Sequence, residues 1–241
     1  MTILVAGASG ATGRLLVEQL LNRGHDVRAI VRSPERFSEL VKNQDHLTLI
    51  HAAILDLSDK EMARHVAGCD AVASCLGHNP SLKGIFGQPQ RLVTDATNRL
   101  CAAIRDNKPE NKTRFVLMNT IANRNRDLNE PISFADKVII GLLRLLVPPQ
   151  VDNEKAADYL RIHVGQKDPD IEWVAVRPDG LIDEESVSEY EVSPSPTGSA
   201  IFNAGKISRI NVAHFMADLI TDDRTWKRWK GQMPVIYNAE S

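Results

Sequence analysis

Hydrophobic residues along the chain alternate between short continuous runs and longer segments in which they recur every three or four positions. Short runs rich in Val and Ile predict buried strands, and the longer periodic segments predict amphipathic helices. Strands that alternate with helices are typical of repeated βαβ units, in which a parallel sheet is covered on both faces. The pattern predicts strands over residues 3–6, 27–31, 47–50, 71–74, 115–118 and 173–176.

Capping residues mark where three of the predicted helices begin or end. The first helix is expected to stop at Gly24, because glycine suits the position just after a helix. Ser33 followed by Pro34 predicts an N-cap with proline at the first helical position. Ser58 and Glu61 have the spacing of a capping box ahead of the third helix.

Two segments interrupt the alternation, one over about 122–149 and one over about 179–210. Both follow predicted strands, and ligands of open α/β sheets bind beyond the carboxyl ends of the strands. We therefore predict one domain over 1–241, an α/β Rossmann fold with a doubly wound parallel sheet and a small C-terminal substrate cap. Apolar residues at helical spacing over 134–147 predict a helix that covers the pocket or a partner surface, or that packs on the sheet.

Composition and charge narrow the range of functions. The 241 residues include 29 Lys and Arg against 31 Asp and Glu, so the net charge of -2 gives no overall attraction to nucleic acid or to an anionic membrane. The longest apolar run, 138–147, contains Arg144 and is about half of the ~20 residues that a membrane span needs. We expect a small-molecule substrate as partner, with no nucleic acid and no membrane span.

Cysteine spacing and the N-terminal sequence bear on the cellular environment. The three cysteines have neither CxxC nor metal-ligand spacing, so we expect no disulfide framework and no metal. The run MTILVAGASG has no basic region before its short apolar stretch, which is typical of a strand and not of a signal peptide. These features predict a cytoplasmic location.

A glycine-rich turn, GASGATG, connects the first predicted strand to the first helix. In this pattern Gly7 permits the tight turn, Gly10 lets backbone N–H groups approach a pyrophosphate, and Gly13 lets the helix and strand pack closely. The turn followed by a helix and a second strand predicts a dinucleotide-binding unit, although a glycine turn can also serve packing alone. The expected phosphate site consists of Gly7, Ser9, Gly10, Ala11, Thr12 and Gly13.

The second predicted strand ends beside Arg32, at the position that distinguishes NAD(H) from NADP(H). An acidic residue there binds the ribose 2′-hydroxyl, whereas a guanidinium binds a 2′-phosphate and stacks on the adenine. Ser33 lies next to Arg32, and Arg36 follows about one turn later. The alternative interpretation is that both arginines are solvated surface charges. We predict NADP(H) as the cofactor.

Two further segments follow predicted strands and extend the expected cofactor site. After the third strand, Asp56 is expected to accept a hydrogen bond from the adenine amino group, and Leu57 is expected to hold the ring. Alternatively, Asp56 is a turn residue before a helix. After the fourth strand, Cys75, Leu76 and Gly77 bring small groups close to a ribose. We favour a small buried hydrophobic role for Cys75 over a reactive thiol.

These segments resemble the short-chain dehydrogenase/reductase superfamily in its atypical extended branch. The sequence is most similar to NmrA-like, NAD(P)H-binding proteins and to the biliverdin reductase B/flavin reductase group, over nearly the whole chain. The resemblance implies that Pro178 and its neighbours line the nicotinamide side and that the segment near Ser208 closes the cap. It rests on GASGATG, Val31-Arg32, Leu55-Asp56-Leu57, Phe115-Val116, Val176-Arg177-Pro178 and the segment Ile207 to Ala213.

The catalytic residues depart from this family. Its members carry Ser or Thr after the fifth strand and a YxxxK pair on the next helix. Here Asn119 and Thr120 follow the fifth strand, so an amide replaces the hydroxyl or the hydroxyl remains at Thr120. No YxxxK occurs in the sequence, and Val151 or Gln150 stands where the tyrosine would be.

Three other side chains are candidates for the chemistry. Lys155 is the candidate for the family lysine, which binds the nicotinamide ribose, or else it is an exposed helix lysine. Tyr159 lies one turn beyond it, although a tyrosine on an apolar helix face usually belongs to the core. His78 follows the fourth strand and is a candidate proton donor, but a single loop histidine is usually incidental.

Two functions fit these residues. The first is an NADP(H)-dependent oxidoreductase that transfers a hydride to a quinone, flavin or conjugated carbonyl, for which the missing tyrosine is tolerable because the hydride chemistry belongs to the cofactor. The second is a non-catalytic NADP(H)-sensing regulatory or assembly protein of NmrA-like type, with a protein partner. The sequence favours the first, because Thr120, Lys155 and a segment large enough to form a cap are present.

Overall fold

The computed structural model describes residues 1–37, 44–78, 81, 86–128, 130, 139–142, 144, 146–197 and 205–239. The strands are β1 (Thr2–Ala6), β2 (Asp26–Val31), β3 (Leu47–His51), β4 (Ala71–Ser74), β5 (Thr113–Met118), β6 (Ile171–Pro178), β7 (Gly180–Ile182), β8 (Tyr190–Ser193), β9 (Lys206–Ser208) and β10 (Val235–Asn238). The helices are α1 (Ala11–Asn22), α2 (Asp59–Val66), α3 (Leu92–Asn107), α4 (Pro148–Asp158), α5 (Arg209–Thr221) and α6 (Asp223–Trp229). A 3-10 turn spans Pro34–Arg36, and a π-helical turn, Tyr159–Val164, continues α4.

The main sheet has eight strands in the order β3-β2-β1-β4-β5-β6-β10-β8. The first seven strands in this order are parallel, and β8 pairs antiparallel with β10 at the edge. The order 3-2-1-4-5-6 is that of a Rossmann sheet, with the switch point between β1 and β4. The predicted doubly wound fold is confirmed, and the six predicted strands are present with ends extended by at most two residues.

Alternate residues of the central strands belong to two separate cores, one on each face of the sheet. In β1, Ile3 and Val5 join the core under α1 and α5, whereas Leu4 and Ala6 join the core under α2, α3 and α4. All four side chains are fully buried. Burial on both faces explains why these strands are continuous apolar runs in the sequence.

Helix α1, which follows the glycine turn, packs against α5 near the C-terminal end of the chain. At the end of this contact, Arg23 pairs with Asp218 at 2.8 Å and donates to the Thr221 hydroxyl at 2.9 Å. The first and last thirds of the sequence therefore share one core.

The predicted helix signals are mostly confirmed. Gly24 follows the end of α1 with a φ of +76°, and its N–H donates to the carbonyl of Leu21. Ser58 and Glu61 form the capping box of α2, with the Ser58 N–H donating to the Glu61 carboxylate at 2.8 Å. The Ser33-Pro34 signal begins a 3-10 turn in which Ser33 makes no capping hydrogen bond. Residues 38–43, over which the predicted helix would continue, lie outside the described part. The turn ends because Phe37 becomes extended and is buried in the core under α1.

The second inserted segment forms β7, β8 and β9. Strands β7 and β9 make a small parallel sheet, and β8 extends the edge of the main sheet. At the start of α5, Ser208 accepts a hydrogen bond from the Asn211 N–H at 3.1 Å. The Asn211 amide donates to Ser188 and to Asn238, so the buried end of this helix ties the inserted strands to β10.

The first inserted segment lies partly outside the described residues, including 134–138, 143 and 145 of the predicted helix 134–147. Residues 139–142, 144 and 146 are helical. Leu142 and Leu146 are exposed, with 50% and 60% of their surface accessible. Nothing in the described part of the chain covers these two side chains.

Arg177, near the end of β6, joins both inserted segments to the sheet. Its guanidinium is fully buried, and each of its five N–H groups has an acceptor. It pairs with Glu130 at 2.7 and 3.1 Å and donates to the carbonyls of Asn123, Pro194 and Met233. One side chain therefore anchors both segments that follow β5 and β6. None of the helices in the described ranges is both long and apolar enough to cross a membrane.

Candidate cofactor-binding site

The glycine turn adopts a geometry that only glycine allows at two positions. Gly7 has a φ of +74°, and a Cβ there would lie 2.8 Å from the carbonyl carbon and oxygen of Cys75. A Cβ on Gly13 would lie 2.2 Å from the Gly7 carbonyl oxygen. The Gly10 N–H donates to the same oxygen at 2.9 Å and closes the turn. The absence of a Cβ at Gly7 therefore lets the turn pass close to the end of β4, and its absence at Gly13 lets α1 pack close to the turn.

The N-terminus of α1 has no capping side chain. Gly10 is the N-cap residue, and the first turn of the helix carries no acidic residue. The first N–H groups of a helix lack partners within the helix and carry a partial positive charge. Thr12 and Gly13 are buried, whereas Ala11 is exposed and Ser9 is half-buried. The turn therefore offers backbone donors to an anionic ligand such as a pyrophosphate.

A cleft of about 190 Å³ opens beside this turn at the carboxyl ends of β1, β2, β3 and β4. It is at the switch point, where open α/β sheets bind ligands. Fifteen residues line it: Gly7, Ser9, Gly10, Ile30, Arg32, Ala52, Ala53, Ile54, Leu55, Asp56, Cys75, Leu76, Gly77, Pro89 and Leu92.

Arg32 places an exposed cation on the wall of the cleft. Among the residues that the structure describes, none pairs with its guanidinium, and its carbonyl lies 3.1 Å from Nε2 of His51. Ser33 is half-buried and does not line the cleft, and the side chain of Arg36 lies outside the described part. The structure thus brings Arg32 to the glycine turn with its charge available to a ligand.

The connection after β3 contributes one third of the lining residues, over 52–56. Asp56 is exposed on this wall, as the sequence suggested for an adenine contact. Leu57 does not line the cleft, because its side chain is buried in the core under α2 and α3. Leu55 lines the cleft in its place. The alternating sequence Leu-Asp-Leu does not reveal which leucine faces the core.

The connection after β4 forms another wall. Cys75, Leu76 and Gly77 line it, and a Cβ at Gly77 would meet no atom within 4 Å. Burial raises the pKa of the Cys75 thiol to about 12, so it is uncharged at neutral pH. This agrees with the small hydrophobic role favoured from the sequence and not with a reactive thiol.

A family model described as NAD(P)H-binding matches residues 7–223. The chain belongs to this NAD(P)H-binding family. The match confirms the family expected from the glycine turn, whereas the NmrA-like and biliverdin reductase B branches stay predictions. The fold is therefore that of an NAD(P)H-binding, oxidoreductase-like protein.

One relative matches this NAD(P)H-binding protein over most of its length. It is 28% identical over 225 residues to an uncharacterized chloroplastic protein of Arabidopsis thaliana, and the match covers 92% of this chain and 73% of that protein. Because that relative is chloroplastic, the cytoplasmic location stays a prediction here.

Solved structures share the fold at low sequence identity. One is a short-chain dehydrogenase/reductase from Veillonella parvula in complex with NADP, with a TM-score of 0.71, 13% identity and coverage of 98% of this chain and 94% of that chain. Another is a protein assigned as an NADH-flavin reductase from Streptococcus pneumoniae, with a TM-score of 0.65, 19% identity and coverage of 99% and 100%.

The residues predicted for the nicotinamide side do not line the same cleft. Asn119 is buried; its amide donates to the Asn153 carbonyl at 2.9 Å, and its oxygen accepts from the Thr120 N–H. Thr120 is half-buried, and Pro178 is buried with its carbonyl accepting from Ile121. Lys155 is exposed on α4. The structure therefore brings the glycine turn, Arg32, Asp56 and residues 75–77 to one cleft and leaves these four residues outside its lining.

The buried face of α4 carries polar residues. The Asp152 carboxylate accepts from the N–H groups of Val93 and Thr94 at the start of α3, at 2.8 and 2.9 Å. Nε2 of His78 lies 2.8 Å from the same carboxylate, and both side chains are buried. This cluster links the connection after β4 to α3 and α4. No sequence pattern indicates it, because its members are far apart in the chain.

Tyr159 contacts neither this cluster nor the cleft. Its hydroxyl accepts a hydrogen bond from Arg105 at 3.2 Å, and its ring packs against the core under α2, α3 and α4. Arg105 also pairs with Asp168 at 2.7 Å. The structural role suggested for Tyr159 from the sequence is the one that its contacts support.

Proposed function

We propose that this protein is an NADP(H)-dependent reductase that delivers a hydride to a small activated acceptor such as a quinone, a flavin or a conjugated carbonyl. The observation that carries the proposal is the cleft at the glycine turn, whose wall contains Arg32 without a partner among the described residues. A helix N-terminus without a capping side chain, together with this guanidinium, suits a ligand with a pyrophosphate and a second phosphate.

The preference for NADP(H) is assigned to Arg32, with Ser33 and Arg36 beside it. A guanidinium binds a phosphate through two parallel hydrogen bonds and stacks on a flat ring. Asp56 accepts a hydrogen bond from the adenine amino group, and residues 75–77 contact the ribose. The backbone of the glycine turn holds the pyrophosphate.

The nicotinamide side is assigned to Asn119, Thr120, Lys155 and Pro178, with the inserted segments as the substrate cap. A bound nicotinamide supplies the hydride. Thr120 is the one side-chain hydroxyl directly after β5, and Lys155 has to reach the ribose from an exposed position on α4. Without the family tyrosine, the reduced acceptor takes its proton from solvent or from another residue.

The missing tyrosine limits the acceptors. General acid help contributes about 10²- to 10⁴-fold to a rate, so a site without it serves acceptors whose reduced anion is already stabilised. Quinones and flavins meet this condition, and simple ketones do not.

The cofactor assignment is tested by calorimetry on the wild type and on Arg32→Asp. The wild type is expected to bind NADPH more tightly than NADH by about tenfold to a hundredfold, the value of a charge-assisted hydrogen bond of about 1.5–3 kcal/mol. Arg32→Asp is expected to reverse the preference. Arg64→Asp makes the same charge change at an exposed position on α2 away from the cleft and is expected to change neither affinity. Equal wild-type affinity for both cofactors would show that the role given to Arg32 is wrong.

The reaction is tested with purified protein, NADPH and a panel of quinones, flavins, enones and ketones, followed by cofactor absorbance. Quinones or flavins are expected to be reduced fastest. Tyr159→Phe is expected to change the rate little, whereas Lys155→Ala is expected to weaken cofactor binding or to lower the rate. Reduction of simple ketones at rates typical of tyrosine-containing enzymes would contradict the mechanism.

A second candidate function is an NADP(H)-sensing regulatory or assembly protein that binds another protein. The exposed side chains of Leu142 and Leu146, one helical turn apart, favour it because they offer an apolar surface within the first inserted segment. Tight NADPH binding without turnover of any acceptor would support this function over the reductase.

A further inference from the structure

One arginine outside the cleft bonds to the wall on which the adenosine half is expected to lie. Arg99 is on α3, and its side chain is 24% exposed. It donates from Nη1 to the Leu55 carbonyl at 2.9 Å and from Nη2 to the Leu57 carbonyl. These two carbonyls flank Asp56. The guanidinium therefore binds the backbone on both sides of Asp56, which lines the cleft.

The wall to which Arg99 donates these hydrogen bonds contains no helix or strand in the described residues 52–58. It is the connection from the end of β3 at His51 to the start of α2 at Asp59, and its residues 52–56 line the cleft. A backbone hydrogen bond from Asp56 to the Ala53 carbonyl makes one turn within it. Connections of this kind are more mobile than the elements they join, unless other contacts fix them.

Arg99 also contacts the start of α2, and this contact is weaker. Its Nε and Nη2 lie 3.1 and 3.0 Å from one carboxylate oxygen of Asp59. Asp59 is 87% exposed, and an exposed ion pair contributes little. The carbonyl bonds at residues 55 and 57 are therefore the contacts that fix the shape of the wall.

We propose that Arg99 is a positioning residue for the adenosine half of the cofactor, acting through the backbone of residues 55–57 without touching the ligand. This inference rests on the proposed NADP(H) site. When a site is competent for only a fraction of the time, the apparent dissociation constant rises by the inverse of that fraction. Without the two carbonyl bonds, the wall is expected to hold its binding-competent shape about one tenth of the time. Binding of the adenosine half then weakens about tenfold.

The experiment measures adenosine 2′,5′-bisphosphate and NADPH binding by calorimetry, in the wild type and in Arg99→Met. Both ligands are expected to lose affinity by the same factor of about ten, since both place adenosine on the wall. In steady-state assays, the KM for NADPH is expected to rise while kcat at saturating NADPH stays unchanged.

Two further variants separate positioning from general stability. Arg105→Met removes an arginine on the same helix that pairs with Asp168, away from the cleft, and is expected to lower the melting temperature without changing either affinity. Asp59→Asn removes the exposed carboxylate and leaves the carbonyl bonds in place, and it is expected to have wild-type affinity.

A conservative variant keeps the test decisive if Arg99→Met does not fold. Arg99→Lys keeps the charge without the guanidinium and is expected to fold, with a smaller loss of affinity in the same direction.

The outcomes distinguish this inference from the proposed function. A wild type that binds both ligands tightly, together with Arg99→Met and Arg99→Lys of equal affinity to it, would overturn the inference alone. Equal losses of affinity in Arg99→Met and Arg105→Met would also overturn it, because the loss would then result from lower folding stability. A wild type that binds neither ligand would overturn the proposed function and the inference with it.

Discussion

Replacing Glu130 with glutamine is expected to cost about 3–5 kcal/mol of folding free energy, because it leaves the buried Arg177 charge without its counterion. The two side chains are 1% and 0% exposed, and Glu130 supplies two of the five acceptors around the guanidinium. The glutamine amide would still offer one oxygen, so Glu130→Ala is expected to lie at the upper end of this range. At about 2–4 °C for each kcal/mol in a chain of this size, the melting temperature falls by about 6–20 °C.

The assay is thermal unfolding at neutral pH, with Asp183→Asn as the control. Asp183 pairs with Arg209 at 2.9 Å but is 83% exposed, so its loss is expected to cost about 0–1 kcal/mol. Replacing Arg177 and Glu130 together with Met and Leu is expected to recover part of the loss, since no charge is then left buried. If Glu130→Gln and Asp183→Asn melted at the same temperature, burial of the ion pair would not govern its contribution.

Three shorter predictions follow from the same structure. Gly7→Ala is expected to weaken NADPH binding in calorimetry by more than about tenfold because its Cβ meets the Cys75 carbonyl, whereas Gly24→Ala, at a similar φ of +76° in open space, is expected to lower stability alone. Burial alone would raise the pKa of Asp168, yet its bonds to Arg105 and to the Asp170 N–H hold that pKa below its usual value. The stability from Asp168 is therefore present above about pH 4 and lost as the pH falls through the lowered pKa, so the melting difference between wild type and Asp168→Asn should shrink in acid; a difference independent of pH would contradict this. Burial raises the pKa of the Cys69 thiol to about 11 and of Cys75 to about 12, so an aromatic disulfide reagent at neutral pH should modify them far more slowly in the native than in the unfolded protein.

The parts of the fold that the sequence predicted correctly have local causes. Strands buried on both faces must be apolar at consecutive positions, and β1 shows this because its alternate residues enter separate cores. The capping box of Ser58 and Glu61 is complete within four residues. The glycine turn is also local, since its spacing between a strand and a helix sets the geometry that Gly7 and Gly13 require.

The parts that the sequence did not predict depend on partners far along the chain. Arg177 finds its acceptors at positions 17 to 56 residues away, and Arg99 bonds to carbonyls more than forty residues before it. Carbonyl acceptors carry no side-chain signal at all. Lys155 is difficult to place from the sequence because the buried face of α4 is polar, including Asp152 and Glu154, so no apolar stripe shows which side of the helix faces inward.

The packing of α1 against α5 has a consequence for synthesis on the ribosome. The glycine turn and α1 leave the exit tunnel long before the helix that covers α1, which spans residues 209–221. Until that helix emerges, the apolar face of α1, with Leu16 and Leu20, lacks the helix that packs on it. A nascent chain in this state is a substrate for chaperones and is prone to aggregation. Truncations that end before residue 209 should therefore be insoluble even though they contain the entire cleft.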